Sequence, residues 1–149
     1  GTVAVREGKV AGANAGGGYS LFNGVLASAV TQLFEIEAGS TGLTETVAAR
    51  NSIEVITGAI SSKTRAAYYP NSKSVKVKLV VEKESQSIIG AQIVGGEEVT
   101  QRVNALSFAI QKGINVRELA KADTAYAPPL NETWEPMVLA AEMVLMKLR

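Results

Sequence analysis

The clearest alternation of apolar and polar positions lies in "SVKVKLVVE", where Val75, Val77, Leu79 and Val81 interleave with Lys76, Lys78 and Glu82. A period of two puts the valines and the leucine on one face, so the stretch predicts a strand that is wet on the other. A polar turn at Lys83 to Ser87 leads into "SIIGAQIVGG", which reads as its hairpin partner. Upstream, "LASAVTQLFEIEAGSTG" from Leu26 mixes β-branched and aromatic residues and ends in Gly39 and Gly42, predicting a strand and a return. "IEVITGAI", Ile53 to Ile60, is a further extended run. Between them Thr44 opens "TETVAARN", a short helix with a hydroxyl N-cap and an early acid.

The period changes to that of a helix in "EEVTQRVNALSFAIQKG", where Val99, Val103, Leu106 and Ile110 share one face and Gly113 sits at the C-terminal cap. Asn115 caps a short turn, "VRELAKA". The last segment, "PMVLAAEMVLMKLR", is apolar nearly all the way round, with Glu142 and Lys147 as its polar breaks, and predicts a helix covered on more than one side. At the other end, "TVAVREGKVAGANA" has the pattern of a helix that runs into Gly16, Gly17 and Gly18, where the chain is free to swing. Strands grouped in the middle with helices around them predict an α+β fold, a mainly antiparallel sheet with helices packed on one face. At 149 residues the chain is long enough for one core that needs no staples.

Composition removes whole classes of chemistry. There is no cysteine and no histidine, which excludes disulfides, thiolate ligands and the Ser-His-Asp and Cys-His arrangements, and no metal site is expected. With 15 basic and 14 acidic residues the net charge is +1, so nothing argues for nucleic acid or an anionic membrane. No apolar run reaches the ~20 residues of a membrane span, and the expected location is the cytoplasm. The glycine triplet follows no strand and lies in no GxGxxG frame, and "TGAISSKT" puts Thr57 and Ser62 where a Walker A loop needs glycines, so neither is a phosphate loop. Glu132, Glu135 and Glu142 are read as solvated or helix-capping rather than as a catalytic carboxylate pair. What remains is tyrosine chemistry and "TAYAPPLNETWEP", which gathers three of the four prolines and the single tryptophan.

Taken together, "FNGVLASAVTQLFEIEAGSTGLTE", "RAAYYPNSKSVKVKLVVEKESQSIIGAQIVGG" and "AYAPPLNETWEP" resemble the C-terminal dimerisation domain of the FAD-dependent pyridine nucleotide-disulfide oxidoreductases. The branch resembled is that of the coenzyme A-disulfide reductases and NADH oxidases. The resemblance covers about residues 20 to 140, and its specific part is "YYP" followed later by "YAPP". It implies that residues 1–18 are the end of an FAD-domain helix plus a Gly-rich linker, and that 19–149 form the dimerisation domain. It further implies a homodimer in which FAD and NAD(P)H are held by other domains of a longer chain, none by this segment, which alone would be inactive. Carried over by motif position, Tyr68 and Tyr126 are expected to support catalysis in the partner subunit's active site. Pro128, Pro129, Trp134 and Met137 are expected to make dimer contacts, and the final helix much of that contact. A phenol with pKa near 10 can donate a hydrogen bond to a developing thiolate or peroxide oxygen while staying neutral at pH 7.

Where the family often has an aromatic residue and a serine after the two prolines, this chain has Leu130 and Asn131, which leaves the oxidant open among coenzyme A disulfide, oxygen, peroxide and persulfide. Arg65 and the neighbouring lysines are candidates for a coenzyme A phosphate, against the plainer reading of a solvated face. For the tyrosines the plainer reading is an amphipathic plug, preferred for Tyr69. A different class of function also fits the residues: a stand-alone small-molecule binding module walled by the proline loop.

Overall fold

The computed structural model describes residues 1–149. Helix α1, Thr2–Ala15, buries none of its residues and leaves Val3 and Val5 exposed. Asn14 ties down the link that follows it, accepting from Ser20 N at 2.8 Å and donating to Ser20 O at 3.1 Å. Then come β1 (Ala29–Leu33), β2 (Ile36–Gly42), α2 (Glu45–Arg50), β3 (Val55–Lys63), β4 (Ser74–Glu82) and β5 (Ile88–Gly95). Three helices complete the chain: α3 (Val99–Gln111), α4 (Val116–Leu119) and α5 (Pro136–Lys147). The strands form one sheet in the order β1-β2-β5-β4-β3, with every pair antiparallel.

The period-two reading of β4 holds. Val75, Val77, Leu79 and Val81 are buried, and together with Ala91 and Ile93 of β5 they make the floor of the core. Val99, Val103 and Leu106 of α3 and Ala140, Ala141 and Val144 of α5 make its roof. The ladder between β4 and β5 slips between Val80 and Val81, and both of these neighbours are fully buried. On the opposite face the short helix α2 is tied to β4 by an ion pair between Glu45 and Lys78. Thr44 is its N-cap, accepting from Val47 N at 3.2 Å. Asn115 and Glu118 form a full capping box on α4. No helix is long and apolar enough to cross a membrane.

Two glycines decide how closely the helices approach the sheet. A β-carbon at Gly58 of β3 would lie 2.3 Å from Ala140 O and 2.6 Å from Val144 Cγ2, so α5 rests on bare backbone. A β-carbon at Gly39 of β2 would lie 2.8 Å from Val103 Cγ2 and from Val30 Cγ1. Gly39 is therefore in mid-strand, and the expectation that it marks the strand's end is corrected. Close backbone approach, rather than a turn, is what requires it.

The final helix is covered by β3 and β4 on one side and faces α4 on another. Its greasy girth is thus largely consumed inside the molecule. Met146, 56% exposed, is the large apolar side chain that it leaves in water.

Gly58→Ala should destabilise the fold by about 1–3 kcal/mol, the usual range for overpacking, read as a lowered urea midpoint. Gly8→Ala, in open space on α1, should leave that midpoint unchanged or slightly raised.

Candidate functional site

The two tyrosines singled out by motif lie on separate loops. Tyr68 is on the β3–β4 connection, residues 64–73, and Tyr126 on the long connection before α5. Each loop is anchored by a charged residue: Glu97 in the turn before α3 and Arg102 in its first turn.

The first loop is closed at its base by Thr64 and Lys73: Thr64 N donates to Lys73 O at 2.9 Å and Lys73 N to Thr64 Oγ1 at 3.1 Å. Thr64 is fully buried, and its hydroxyl donates to Glu97 Oε1 at 2.7 Å. Arg65 Nη2 reaches the same oxygen at 2.5 Å. Burial pushes the Glu97 carboxyl up, but the hydrogen bonds from Thr64 and Arg65 and the charges of Arg65 and Lys73 outweigh it and hold the pKa below the usual carboxylate value. Arg65, a candidate for a phosphate ligand, is thus engaged with Glu97. Ser72 Oγ donates to Arg65 O at 3.0 Å, and Tyr69 N to Ala66 O at 2.8 Å, which tightens the turn that carries Tyr68.

The second loop is held by a residue that the sequence reading passed over. Arg102, on the buried face of α3, is 5% exposed and makes two parallel bonds to Glu135: Nε to Oε1 at 2.7 Å and Nη2 to Oε2 at 3.2 Å. Glu135, 4% exposed, is also the N-cap of α5, accepting from Met137 N at 3.4 Å, with Pro136 in the first turn. The capping reading of Glu135 is correct; its buried partner is the part that was missed. Asn131 links this pair to the loop, donating to Glu135 Oε2 at 3.0 Å and to Ala125 O at 3.3 Å. Ala125 is the residue before Tyr126. The signal for Arg102 was present in the sequence: position 102 falls three after Val99 and four before Leu106, on the helix's own apolar stripe, where an arginine demands a partner.

The two phenols are near enough for Tyr126 to perturb Tyr68. The Tyr68 pKa is raised above its ordinary value, first by the hydrogen bond with Tyr126, then by burial and by the negative charges of ionised Tyr126 and of Glu132. Both rings face water, Tyr68 78% and Tyr126 48% exposed. Around them Pro128 and Pro129 are half-buried, and Leu130 and Trp134 are exposed by 66% and 61%. Met137 is half-buried against the core of its own chain and lines an open cleft of about 420 Å³ with Arg102, Ala105 and Leu130. The three glutamates once weighed as a carboxylate pair do not act together: Glu135 is buried with Arg102 and Glu142 is exposed.

Arg102→Met should cost about 3–5 kcal/mol, because it leaves the Glu135 carboxylate buried without its counter-charge. The double variant Arg102→Met/Glu135→Leu should recover most of that loss in denaturant titrations, short by the lost helix cap, ~1 kcal/mol. For Glu97 the native pKa is depressed, so its contribution is present above the unfolded value and lost as pH falls through the native one. Glu97→Gln should therefore lose less stability than the parent between neutral pH and about pH 3, measured as urea midpoints at the two pH values.

Comparison with known proteins agrees with the fold. Residues 28–138 match the profile described as "Pyridine nucleotide-disulphide oxidoreductase, dimerisation domain". The chain is 44% identical over 148 residues to an NADH oxidase of Methanocaldococcus jannaschii, covering 99% of this chain and 33% of that protein. It is 36% identical over 139 residues to a CoA-dependent NAD(P)H sulfur oxidoreductase of Pyrococcus abyssi, covering 93% of this chain and 31% of that one. The solved structure of a NAD-dependent persulfide reductase from A. fulgidus superposes with a TM-score of 0.90 at 39% identity, over 95% of this chain and 26% of that chain. The chain thus spans about a third of the length of the curated relatives that it matches. The antiparallel sheet with α3 and α5 packed on one face and the profile match agree: the chain belongs to the dimerisation-domain family of the pyridine nucleotide-disulphide oxidoreductases.

Proposed function

We propose that this chain is the C-terminal homodimerisation domain of an FAD-dependent NAD(P)H oxidoreductase of the coenzyme A-disulfide reductase or NADH oxidase type, and that it lends Tyr68 and Tyr126 to the partner subunit's active site. In this reading residues 1–18 close the preceding FAD domain and 19–149 form the dimerising unit, consistent with a helix α1 that buries nothing in its own chain.

The observation that carries the reading is that two exposed phenols on separate loops lie near enough for one to perturb the other, and that the loop of Tyr126 also exposes Leu130 and Trp134. Stiff prolines lower the entropy lost on docking, and an exposed tryptophan supplies apolar area of the kind that dominates interfaces. FAD and NAD(P)H are assigned to the rest of the parent chain. The residues here do not fit a dinucleotide: Gly16–Gly18 follow a helix, and the sheet has no parallel β–α–β unit to aim a helix at a pyrophosphate.

What these residues do is hold a proton. A phenol is neutral at pH 7, so one member of the pair donates to an oxygen or sulfur that gains negative charge while the other orients it. The oxidant is a coenzyme A disulfide, a persulfide, oxygen or a peroxide, in line with the oxidase, sulfur oxidoreductase, persulfide reductase and disulfide reductase names of the matched relatives.

In the full-length parent, Tyr126→Phe and Tyr68→Phe should each lower kcat by about 10²-fold with the KM for NAD(P)H unchanged. Mixed dimers pairing a Tyr126→Phe subunit with one inactivated in its FAD domain should regain turnover, because the intact phenol then faces the intact flavin site. Mixed dimers as inactive as either parent would place the phenols in cis and sink the reading. Sedimentation of the 149-residue chain at tens of micromolar should show a dimer, and only monomer would count against its surface as the contact.

A further inference from the structure

We propose that the turn from β5 into α3, Gly95 to Arg102, is a positioning element that sets the separation of Tyr68 and Tyr126, with Glu97 holding one loop and Arg102, through Glu135 and Asn131, holding the other. The inference rests on the reading of the two phenols as a functional pair.

No backbone hydrogen bond joins the 64–73 loop to the 120–135 loop, so nothing in the main chain fixes one tyrosine relative to the other. Each loop is instead bonded to the same short segment. Glu97 Oε1 receives both Thr64 and Arg65, respectively four and three residues ahead of Tyr68. Five residues further along, Arg102 takes both oxygens of Glu135, while Asn131 spans from Glu135 to the carbonyl before Tyr126. These anchors are mostly shielded, with Thr64, Arg102 and Glu135 all buried, so water competes poorly for their bonds.

The segment between the anchors is itself pinned. Gly96 N donates to Ser74 O at 3.1 Å, and Lys73 Nζ to Gly96 O at 3.2 Å. Glu98 takes a left-handed φ of 62°, which reverses the chain between Glu97 and the helix and sends their side chains toward different loops. Val99 N, an orphan donor at the helix start, is satisfied from β2 by Glu37 Oε2 at 3.0 Å. The turn is thus locked to β2 and to the start of β4, and it carries the two loops as fixed arms. Glu97, Arg102 and Asn131 are positioning residues: they act on a reacting group only through the tyrosines.

The test uses the full-length parent enzyme with Asn131→Ala and Glu97→Ala, changes that leave both phenols and the Arg102–Glu135 pair in place. The ionisation of Tyr68 is followed by NMR of ring-labelled tyrosine, assigned by its disappearance in Tyr68→Phe. Each variant should move the Tyr68 ionisation down toward the ordinary phenol value and lower kcat roughly 10- to 100-fold, with flavin content and dimer unchanged. Combined, they should shift both readouts by less than the sum of the single effects, since a separation once lost is lost only once. Lys83→Ala, which breaks an exposed pair with Glu54 elsewhere on the sheet, should move neither readout. If both variants fold and bind flavin with the Tyr68 ionisation where it is in the parent, the proposal is overturned. If the ionisation moves while Tyr68→Phe and Tyr126→Phe leave turnover intact, the turn still positions the phenols and it is their catalytic role that falls.

Discussion

The structure depends most on one buried ion pair. Arg102 and Glu135 are 33 residues apart in the chain, almost free of solvent, and joined through two parallel hydrogen bonds. Desolvating two charges costs several kcal/mol per ion, and their attraction does little more than return that cost, so the pair is a poor source of net stability. What it supplies is direction. A planar guanidinium meeting a carboxylate edge-on allows one relative orientation, where apolar side chains of the same volume would allow many. Because Glu135 also caps α5, that single orientation fixes where the last helix begins and where the loop before it must end.

From that constraint the layout of the surface follows. The sheet and the helices on one of its faces are closed by ordinary packing, with α3 and α5 lowered onto Gly39 and Gly58. Tyr68 and Tyr126 are not part of that core. They sit on two loops that cost little to move and are therefore tied by side chains: Glu97 on one, Arg102 with Glu135 and Asn131 on the other. Loops on a rigid scaffold are where functional groups collect, since a loop can change without disturbing the core.

The loop that carries Tyr126 leaves apolar side chains in water. Leu130 and Trp134 stand in water beside two half-buried prolines, while the terminal helix, the most apolar stretch of the chain, spends itself largely on its own sheet. A chain that spans about a third of its curated relatives is expected to leave such surfaces open. Helix α1, with no buried residue, is a second surface of the same kind.

Strands, helices and caps were legible in the residues because each is set by neighbours in sequence: the alternation in β4, the helical stripe of α3, Thr44 and Asn115 at their helix starts. The motif "YYP" with "YAPP" drew the proposal to Tyr68 and Tyr126. Gly39 was misjudged, since its need for a missing side chain arises from Val103 in a distant helix. Arg102 was overlooked, though its place on an apolar stripe marked it, because the carboxylate that makes it tolerable lies beyond any local window. That the residues around one turn bond to both tyrosine loops was decided by the tertiary structure alone. Pairing across long stretches of chain depends on how helices and strands pack, and a linear pattern carries only the half of each contact that belongs to its own segment.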